Sequence, residues 1–265
     1  MDLHLINNRL RRFLPIGTTV ISFNCSDEDI VPSIPMIQEY HPLSMFYPSL
    51  FPPDTTKIKI IYGKRNEIVQ RIGAVIRTGI GFTTYEHIAD TVKYYGDSIV
   101  ITKQLLSEKD FSNMLEYKRK LILKNGLIVQ EIFGRDFYGD RNNDTLSFKY
   151  NDQKQIIEVT QIQSGLYTKY HKYHYDSKGN LNTITAERFR KDVLTDRDTT
   201  WFLDYDSSPN PVKNLVIFQE CFYRSLSTNT FTKYIHKSYS MIHATKSNFW
   251  REWDFEYDEN NYPIF

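Results

Sequence analysis

The strongest constraint on what this chain can fold into is a recurring unit: an alternating apolar strand, a Tyr, a tight polar turn, then another strand. It reads Phe148-Lys149-Tyr150-Asn151-Asp152, Tyr173-His174-Tyr175-Asp176-Ser177-Lys178-Gly179, Leu203-Asp204-Tyr205-Asp206 and Phe255-Glu256-Tyr257-Asp258-Glu259-Asn260-Asn261. Upstream, Ile58-Lys59-Ile60-Ile61-Tyr62 runs into Gly63-Lys64-Arg65-Asn66, Tyr94-Tyr95 into Gly96-Asp97, and Leu121-Ile122-Leu123 into Lys124-Asn125-Gly126. The residues that open these turns are Tyr62, Tyr95, Leu123, Tyr150, Tyr175, Tyr205 and Tyr257. They recur at roughly 25–33 residues, with a last interval about twice as long, as in architectures where each unit buries a face against its neighbours. The long interval predicts one more unit whose turn has eroded near Ser227-Thr228-Asn229.

The turn chemistry supports this reading unit by unit. Asn125-Gly126 is a strong two-residue hairpin signal, because both positions require positive φ. In Asp176-Ser177-Lys178-Gly179 the Asp can cap the turn while Gly takes the left-handed position. Asn66 and Asn261 occupy the same place in their units, and Lys154 does so in its own, which predicts a looser turn there. Two segments, 84–92 and 103–120, fit a short helix about as well as strands. The 19 Tyr and 17 Phe against only 11 Gly among 265 residues are a strand composition. We therefore expect an all-β protein of consecutive antiparallel β-hairpins, forming a large curved sheet or a barrel-like shell.

Three segments are expected: a signal peptide over 1–24, a Pro-rich tether over 25–57 and the hairpin repeat domain over 58–265. Arg9, Arg11 and Arg12 precede an apolar run over 13–24, the layout of a secretory signal and too short to span a bilayer as a helix. Cys25 follows at once and resembles a bacterial lipoprotein cleavage site, where the thiol is acylated. The alternative is an ordinary N-terminal strand carrying an incidental Cys. Pro32, Pro35, Pro42, Pro48, Pro52 and Pro53, more than half of the ten prolines, disfavour helix and central strand downstream. Apolar residues such as Met36, Phe46 and Phe51 suggest that part of this stretch lies along the domain. The other cysteine, Cys221, sits in the apolar run 216–223, expected to be a strand with a buried free thiol.

Tyr173-His174-Tyr175-Asp176-Ser177-Lys178-Gly179-Asn180-Leu181 resembles the YD repeat of RHS-type shell proteins. A closer likeness is to a group of uncharacterised Bacteroidetes lipoproteins with a porin-like fold. It rests on the recurring Tyr-Asp turn, the Asp206-Ser207-Ser208-Pro209-Asn210-Pro211 segment and the closing Tyr257-Asp258-Glu259-Asn260-Asn261-Tyr262-Pro263. Ser26-Asp27-Glu28-Asp29 is similar to the acidic tract that follows the lipidated Cys in many such lipoproteins. The resemblance implies a strongly curved antiparallel sheet, a lipid anchor at Cys25 and an outer-membrane, surface-exposed location; it implies no catalytic residue.

A search for chemistry returns little. With 33 Lys+Arg against 32 Asp+Glu, nothing favours nucleic acid as a partner. His171 and His174, three apart in a strand, face opposite sides and cannot share a metal. Asp140-Arg141-Asn142-Asn143-Asp144 lacks the Gly and the Glu of a calcium loop, so a polar hairpin loop is expected. Glu252, Asp254, Glu256 and Asp258 alternate opposite Trp253, Phe255 and Tyr257, more a solvated row over an aromatic face than a catalytic one. No cofactor or metal is expected. Ligand-binding candidates are aromatic: Trp201, Trp250, Tyr173 and Tyr175, with Trp253 assigned to the core. The mean hydropathy of −0.49 leaves no continuous lipid-facing band for an integral porin. The expected function is a non-enzymatic cell-envelope module that binds or scaffolds a glycan, a peptide or a partner lipoprotein in its concavity. The alternatives are a glycan-processing enzyme with paired carboxylates about 5–10 Å apart in that concavity, and a structural shell.

Overall fold

Each tight turn needs a residue with positive φ, and the structure, a computed structural model, has one at all six turns opened by Tyr62, Tyr95, Leu123, Tyr150, Tyr175 and Tyr257. These are Asn66 (61°), Gly96 (36°), Asn125 and Gly126 (53° and 75°), Lys154 (60°), Gly179 (82°) and Asn261 (61°). The structure describes residues 44–48, 55–78, 81–105, 117–134, 144–213, 215–218, 221–259, 261 and 263–264. The expected signal peptide, Cys25 and most of the tether lie outside them.

The strands, in chain order, are β1 (Ser44–Pro48), β2 (Thr55–Tyr62), β3 (Ile68–Thr78), β4 (Gly81–Tyr95), β5 (Ser98–Leu105), β6 (Tyr117–Lys124) and β7 (Leu127–Phe133). There follow β8 (Thr145–Tyr150), β9 (Ile156–Gln163), β10 (Tyr167–Tyr175), β11 (Leu181–Arg190) and β12 (Val193–Pro209). A one-turn helix, α1 (Phe222–Ser225), precedes β13 (Asn229–Ser240), β14 (Thr245–Glu252), β15 (Glu256–Tyr257) and β16 (Pro263–Ile264). β1 to β14 form one fourteen-stranded sheet in strict chain order, each strand antiparallel to the next, and β15–β16 pair separately. Among the described residues no pairing joins β14 back to β1, so the sheet is open. Segment 84–92 lies within β4; segment 103–120 supplies the end of β5 and the start of β6, and its middle lies outside the described residues.

In such a meander the connections alternate between two rims. The turns opened by Tyr62, Tyr95, Leu123, Tyr150 and Tyr175 all lie on one of them, and tyrosines stitch it together. Tyr94 donates its hydroxyl to the Ile68 carbonyl (3.2 Å), Tyr150 to that of Ile128 (2.6 Å), and Tyr205 to that of Leu181. Each acceptor lies at the start of the strand that follows the preceding turn on this rim, so the Tyr ties one hairpin to the one before it. In the β4–β5 unit Tyr94 has this role, and Tyr95 is exposed. The Lys154 turn is no looser than the others: Asn151 N–H donates to the Gln155 carbonyl and Lys154 N–H to that of Asn151, both at 3.0 Å. The Asn151 side chain adds two bonds to Gln155, which offsets the absence of Gly.

The repeat breaks at β12. Tyr205 opens no turn; the strand runs on past a left-handed residue at Asp204 (φ 54°) and through a register shift between Tyr205 and Pro209. Nor does a hairpin turn lie near Ser227-Thr228-Asn229, where the chain leaves α1 and enters β13. The missing unit is the β13–β14 hairpin, closed at Met241–Ala244 on the other rim, and residues 210–228 form a long connection instead. This connection is the centre of the fold. Val212, Leu215, Ile217, Phe218 and Cys221 pack in one core with Ile58, Ile60, Ile68, Val92, Ile99, Ile101, Leu121 and Leu123 of β2 to β6. Phe222 and Leu226 pack on a second core of Phe148, Ile156, Val159, Tyr173, Leu181, Ile184, Phe202 and Phe231. Cys221 is thus a buried free thiol, but in this plug rather than in a strand: as the N-cap of α1 its backbone carbonyl accepts from the N–H of Ser225, the last residue of that helix.

The plug dictates the curvature of the sheet. In a flat sheet β12 would stand about 43 Å from β3, nine strands away. The chain from Pro209 to Phe218 can span at most about 30 Å, yet the Arg71 guanidinium of β3 lies 4.3 Å from the Phe218 ring centre. The sheet therefore curls around the plug, with the core-facing side concave.

Beneath the plug lies a row of charges. Arg71 pairs with Asp90, Lys103 reaches Asp90 at 3.4 Å, and Arg119 pairs with Glu131 at 2.6 Å. Arg119 also donates to the Ile217 carbonyl of the plug at 2.9 Å. Burial pushes the Asp90 carboxyl up, but the charges of Arg71, Lys103 and Arg119 outweigh it and hold the group below the usual carboxylate range. At the mouth of the plug Asn210 donates to the Arg224 and Ser227 carbonyls (2.6 and 2.9 Å), closing the loop on itself.

Phe218→Ala is expected to lower the unfolding free energy by about 3–5 kcal/mol, measured by urea denaturation, because a fully buried ring leaves a cavity. Tyr150→Phe, which removes one stitch, is expected to cost about 1 kcal/mol, and Tyr95→Phe close to nothing.

Candidate functional site

The plug covers the concave face over β2 to β6, which leaves two places for a ligand. One is the outer face of the last three strands of the sheet. Register sets its composition: Trp201 pairs with Thr183 on one side and Ile235 on the other, and Ile235 pairs with Trp250. Directly opposed residues share a face, so Trp201, Ile235 and Trp250 form a cross-strand row. The two indoles stand two strands, about 10 Å, apart. Trp250 is 62% exposed, the most open aromatic side chain among the described residues. Beside Trp201 an open groove of about 390 Å³ is lined chiefly by Arg197, Thr199, Lys237, Tyr239 and Lys246. The Lys237 ammonium lies 5.4 Å from the Trp201 ring centre. Arg197 also pairs with Glu187 at 3.0 Å, an exposed contact that costs little to open.

Trp201 and Trp250 therefore lie together, whereas Tyr173 and Tyr175 do not join them. Tyr173 opposes Ile184 on the concave face and is 6% exposed within the second core. Tyr175 packs half-buried on the same core, and its hydroxyl has no partner among the described residues. Trp253 stacks on Tyr234 (5.8 Å between ring centres) beneath the Arg224 guanidinium (4.5 Å), a core position as expected. The C-terminal carboxylates Glu252, Asp254 and Glu256 are exposed, although the strand breaks between Glu252 and Glu256.

The second place is the concave face over β10 to β13, past the end of the plug. Lys169 pairs with Asp198, Thr200 shares a hydrogen bond with His236 Nδ1 (2.8 Å), and Arg188 donates to Gln163 (2.6 Å). Burial drives His171 down to about 4; Lys169 adds to this and Asp198 opposes it. Burial also lowers His236, with Asp198 opposing and Lys169 assisting. The Tyr223 ring lies 5.6 Å from that of Phe202, and desolvation, with the nearby Asp198 charge, raises its hydroxyl. His174 opposes Thr183 and is exposed on the outer face, so the two histidines do point apart. No group of three or more His, Cys, Asp or Glu is set to hold a metal among the described residues. Asp196 and Asp198 share the concave face of β12 about 7 Å apart, but they lie side by side on one strand and Lys169 holds Asp198. A hydrolytic pair must flank a bond from two sides.

Sequence reasoning singled out the two tryptophans, but not the cations beside them. Arg197 is in the same strand as Trp201 at an even offset, a signal that was available. Lys237 and Lys246 come from strands beyond the plug, and no local pattern reveals the register across it.

An open, plugged antiparallel meander with an aromatic outer face is the class of protein that fold and site define. No family model matches the chain, and no curated protein matches it. Among solved structures, a porin-like protein from Bacteroides vulgatus superposes with a TM-score of 0.52 at 12% identity, over 85% of this chain and 90% of that one. A porin-like protein from Bacteroides uniformis gives 0.49 at 12% identity, over 83% and 84%. The fold of this chain is thus that of the first of these porin-like proteins.

The depressed His171 and His236 fix a pH dependence. The unfolded chain binds protons at these rings below its ordinary histidine value, near 6.5, and the folded chain does so only lower, about 4 for His171. Stability should therefore fall as pH drops from about 6.5 to 4. Melting temperatures across that range should show a shallower slope for His171→Gln than for the wild type.

Proposed function

We propose that this protein is a non-enzymatic carbohydrate-binding module of the cell envelope, held by a lipid on Cys25, that lays a glycan chain across Trp201 and Trp250. The observation that carries this reading is the cross-strand row of half-buried Trp201 and exposed Trp250 on the outer face of the sheet. Flat indoles present a large apolar surface to the C–H faces of sugar rings at little conformational cost. Their spacing of about 10 Å suits rings further along one chain rather than a single compact ligand. Arg197, Lys237 and Lys246 around the groove favour glycans that bear carboxylate or sulfate groups. The site is on the outer face, not in the concavity that the sequence pointed to, because the plug fills much of that concavity. The porin-like description of the structural neighbour supports an envelope location, and the lipoprotein-like sequence at Cys25 supports the anchor.

Calorimetry against a panel of neutral and acidic oligosaccharides tests the site. Binding by the wild type is expected, with Trp250→Ala and Trp201→Ala each weakening it at least about tenfold, or ~1.4 kcal/mol. Lys237→Ala should weaken acidic ligands selectively. A wild type that binds no member of the panel, or alanine variants that bind as it does, would refute the reading. For the anchor, a clickable fatty acid fed to the native host should label the wild type and not Cys25→Ala.

A further inference from the structure

The two rims of the sheet differ in chemistry. On the tyrosine rim every described hairpin turn is polar: Gly63-Lys64-Arg65-Asn66, Gly96-Asp97, Asn125-Gly126, Asn151-Asp152-Gln153-Lys154 and Asp176-Ser177-Lys178-Gly179. On the opposite rim, three consecutive described hairpins end in exposed aliphatic side chains. Leu166 is at the β9–β10 tip (49% exposed), Val193 at the β11–β12 tip (66%), and Met241 and Ile242 at the β13–β14 tip (37% and 61%). Neither core needs these residues, and a tight turn does not call for them; polar residues serve the other rim.

Cations stand close behind the tips. Arg190 and Lys191 precede Asp192 and Val193, and Lys246 follows Ile242 by four residues; all three cations are exposed. Asp192 is the one acidic residue among the tip residues 164–166, 190–193 and 241–246. The tips are set two strands, about 10 Å, apart along the rim. One or two aliphatic groups per tip, separated by that distance and interleaved with charge, do not make the continuous packed patch that a stable protein partner needs. A fluid acyl boundary needs no such shape match. It accepts separate aliphatic points while its anionic headgroups pair with the cations behind them.

We infer that this rim is a membrane-docking edge, in which Leu166, Val193, Met241 and Ile242 enter the interface of an anionic lipid bilayer and Arg190, Lys191 and Lys246 contact its headgroups. The aliphatic side chains that enter the lipid are none of those that would hold a glycan, and Lys246 alone stands both behind the rim and in the lining of the groove.

Co-sedimentation of the full chain with vesicles tests the inference, comparing phosphatidylglycerol–phosphatidylcholine mixtures with pure phosphatidylcholine. The wild type is expected to bind the anionic vesicles and to release as salt rises. The triple variant Leu166→Ser, Val193→Ser, Ile242→Ser should bind at least about tenfold more weakly, with an unchanged melting temperature and unchanged glycan binding. The double variant Arg190→Glu, Lys191→Glu should lose the preference for anionic vesicles. A wild type that fails to sediment with anionic vesicles overturns the inference. So does a triple variant that binds as the wild type does, since the N-terminal segment and not the rim would then hold the lipid. Capture by a protein or glycan partner that the triple variant loses, without any loss of vesicle binding, would overturn it as well.

Discussion

The contact between the plug and the charged row beneath it is the interaction on which the rest of the structure depends. Phe218 and Arg119 illustrate why. A fully buried ring lies on one guanidinium, and a second guanidinium donates to the plug backbone while held by Glu131. Buried charges are costly unless paired and hydrogen-bonded, and here the plug's Ile217 carbonyl is one of those partners. The apolar residues of the plug drive burial, and the row beneath sets where it sits. Together they convert a long meander, which alone could lie nearly flat, into a curled sheet with an inside and an outside. The outer tryptophan row and the confined concave cluster both follow from that curl.

Much of the scaffold was legible from local chemistry. Asn66, Asn125, Gly179 and Asn261 each take the positive φ that their turn requires, and a turn is a property of four neighbouring residues. The tyrosines were legible as a pattern but not as a mechanism, since the hydroxyl of Tyr150 acts on a carbonyl 22 residues away. The plug was not legible. Its residues 216–223 are apolar enough for a strand, and what decides against one is the concave face of β2 to β6, far upstream in the chain. The same is true of Arg71 and Arg119. In sequence each resembles a solvated strand residue, and only the plug above makes them buried. The site divides likewise: Trp201 and Trp250 are conspicuous as tryptophans, but Lys237 joins them only through a register that the insertion conceals.

The protein keeps its functions on separate surfaces. The tyrosine rim is devoted to holding the hairpins in step, with polar turns and hydroxyl bridges. The concave face is committed to core packing and, past the plug, to a small network of Lys169, Asp198, His171 and His236. The outer face and the opposite rim are less constrained by folding, and the unusual exposed residues are there. An exposed Trp250 contributes nothing to either core, so its presence points outward.

The plug also carries a consequence for synthesis. Its residues follow twelve complete strands, so the concave face of β2 to β6 leaves the ribosome long before the segment that covers it. Until Cys221 has emerged, Ile58, Ile99 and Leu121 have only one another, and Arg71 and Arg119 sit on an uncovered apolar surface. Arg119 and Ile217 are 98 residues apart, and contacts of such separation form late and slowly. The chain must therefore remain unaggregated while it is largely made and still uncapped. The alternating charges of the row, which the finished fold buries at a cost, keep that waiting surface wet.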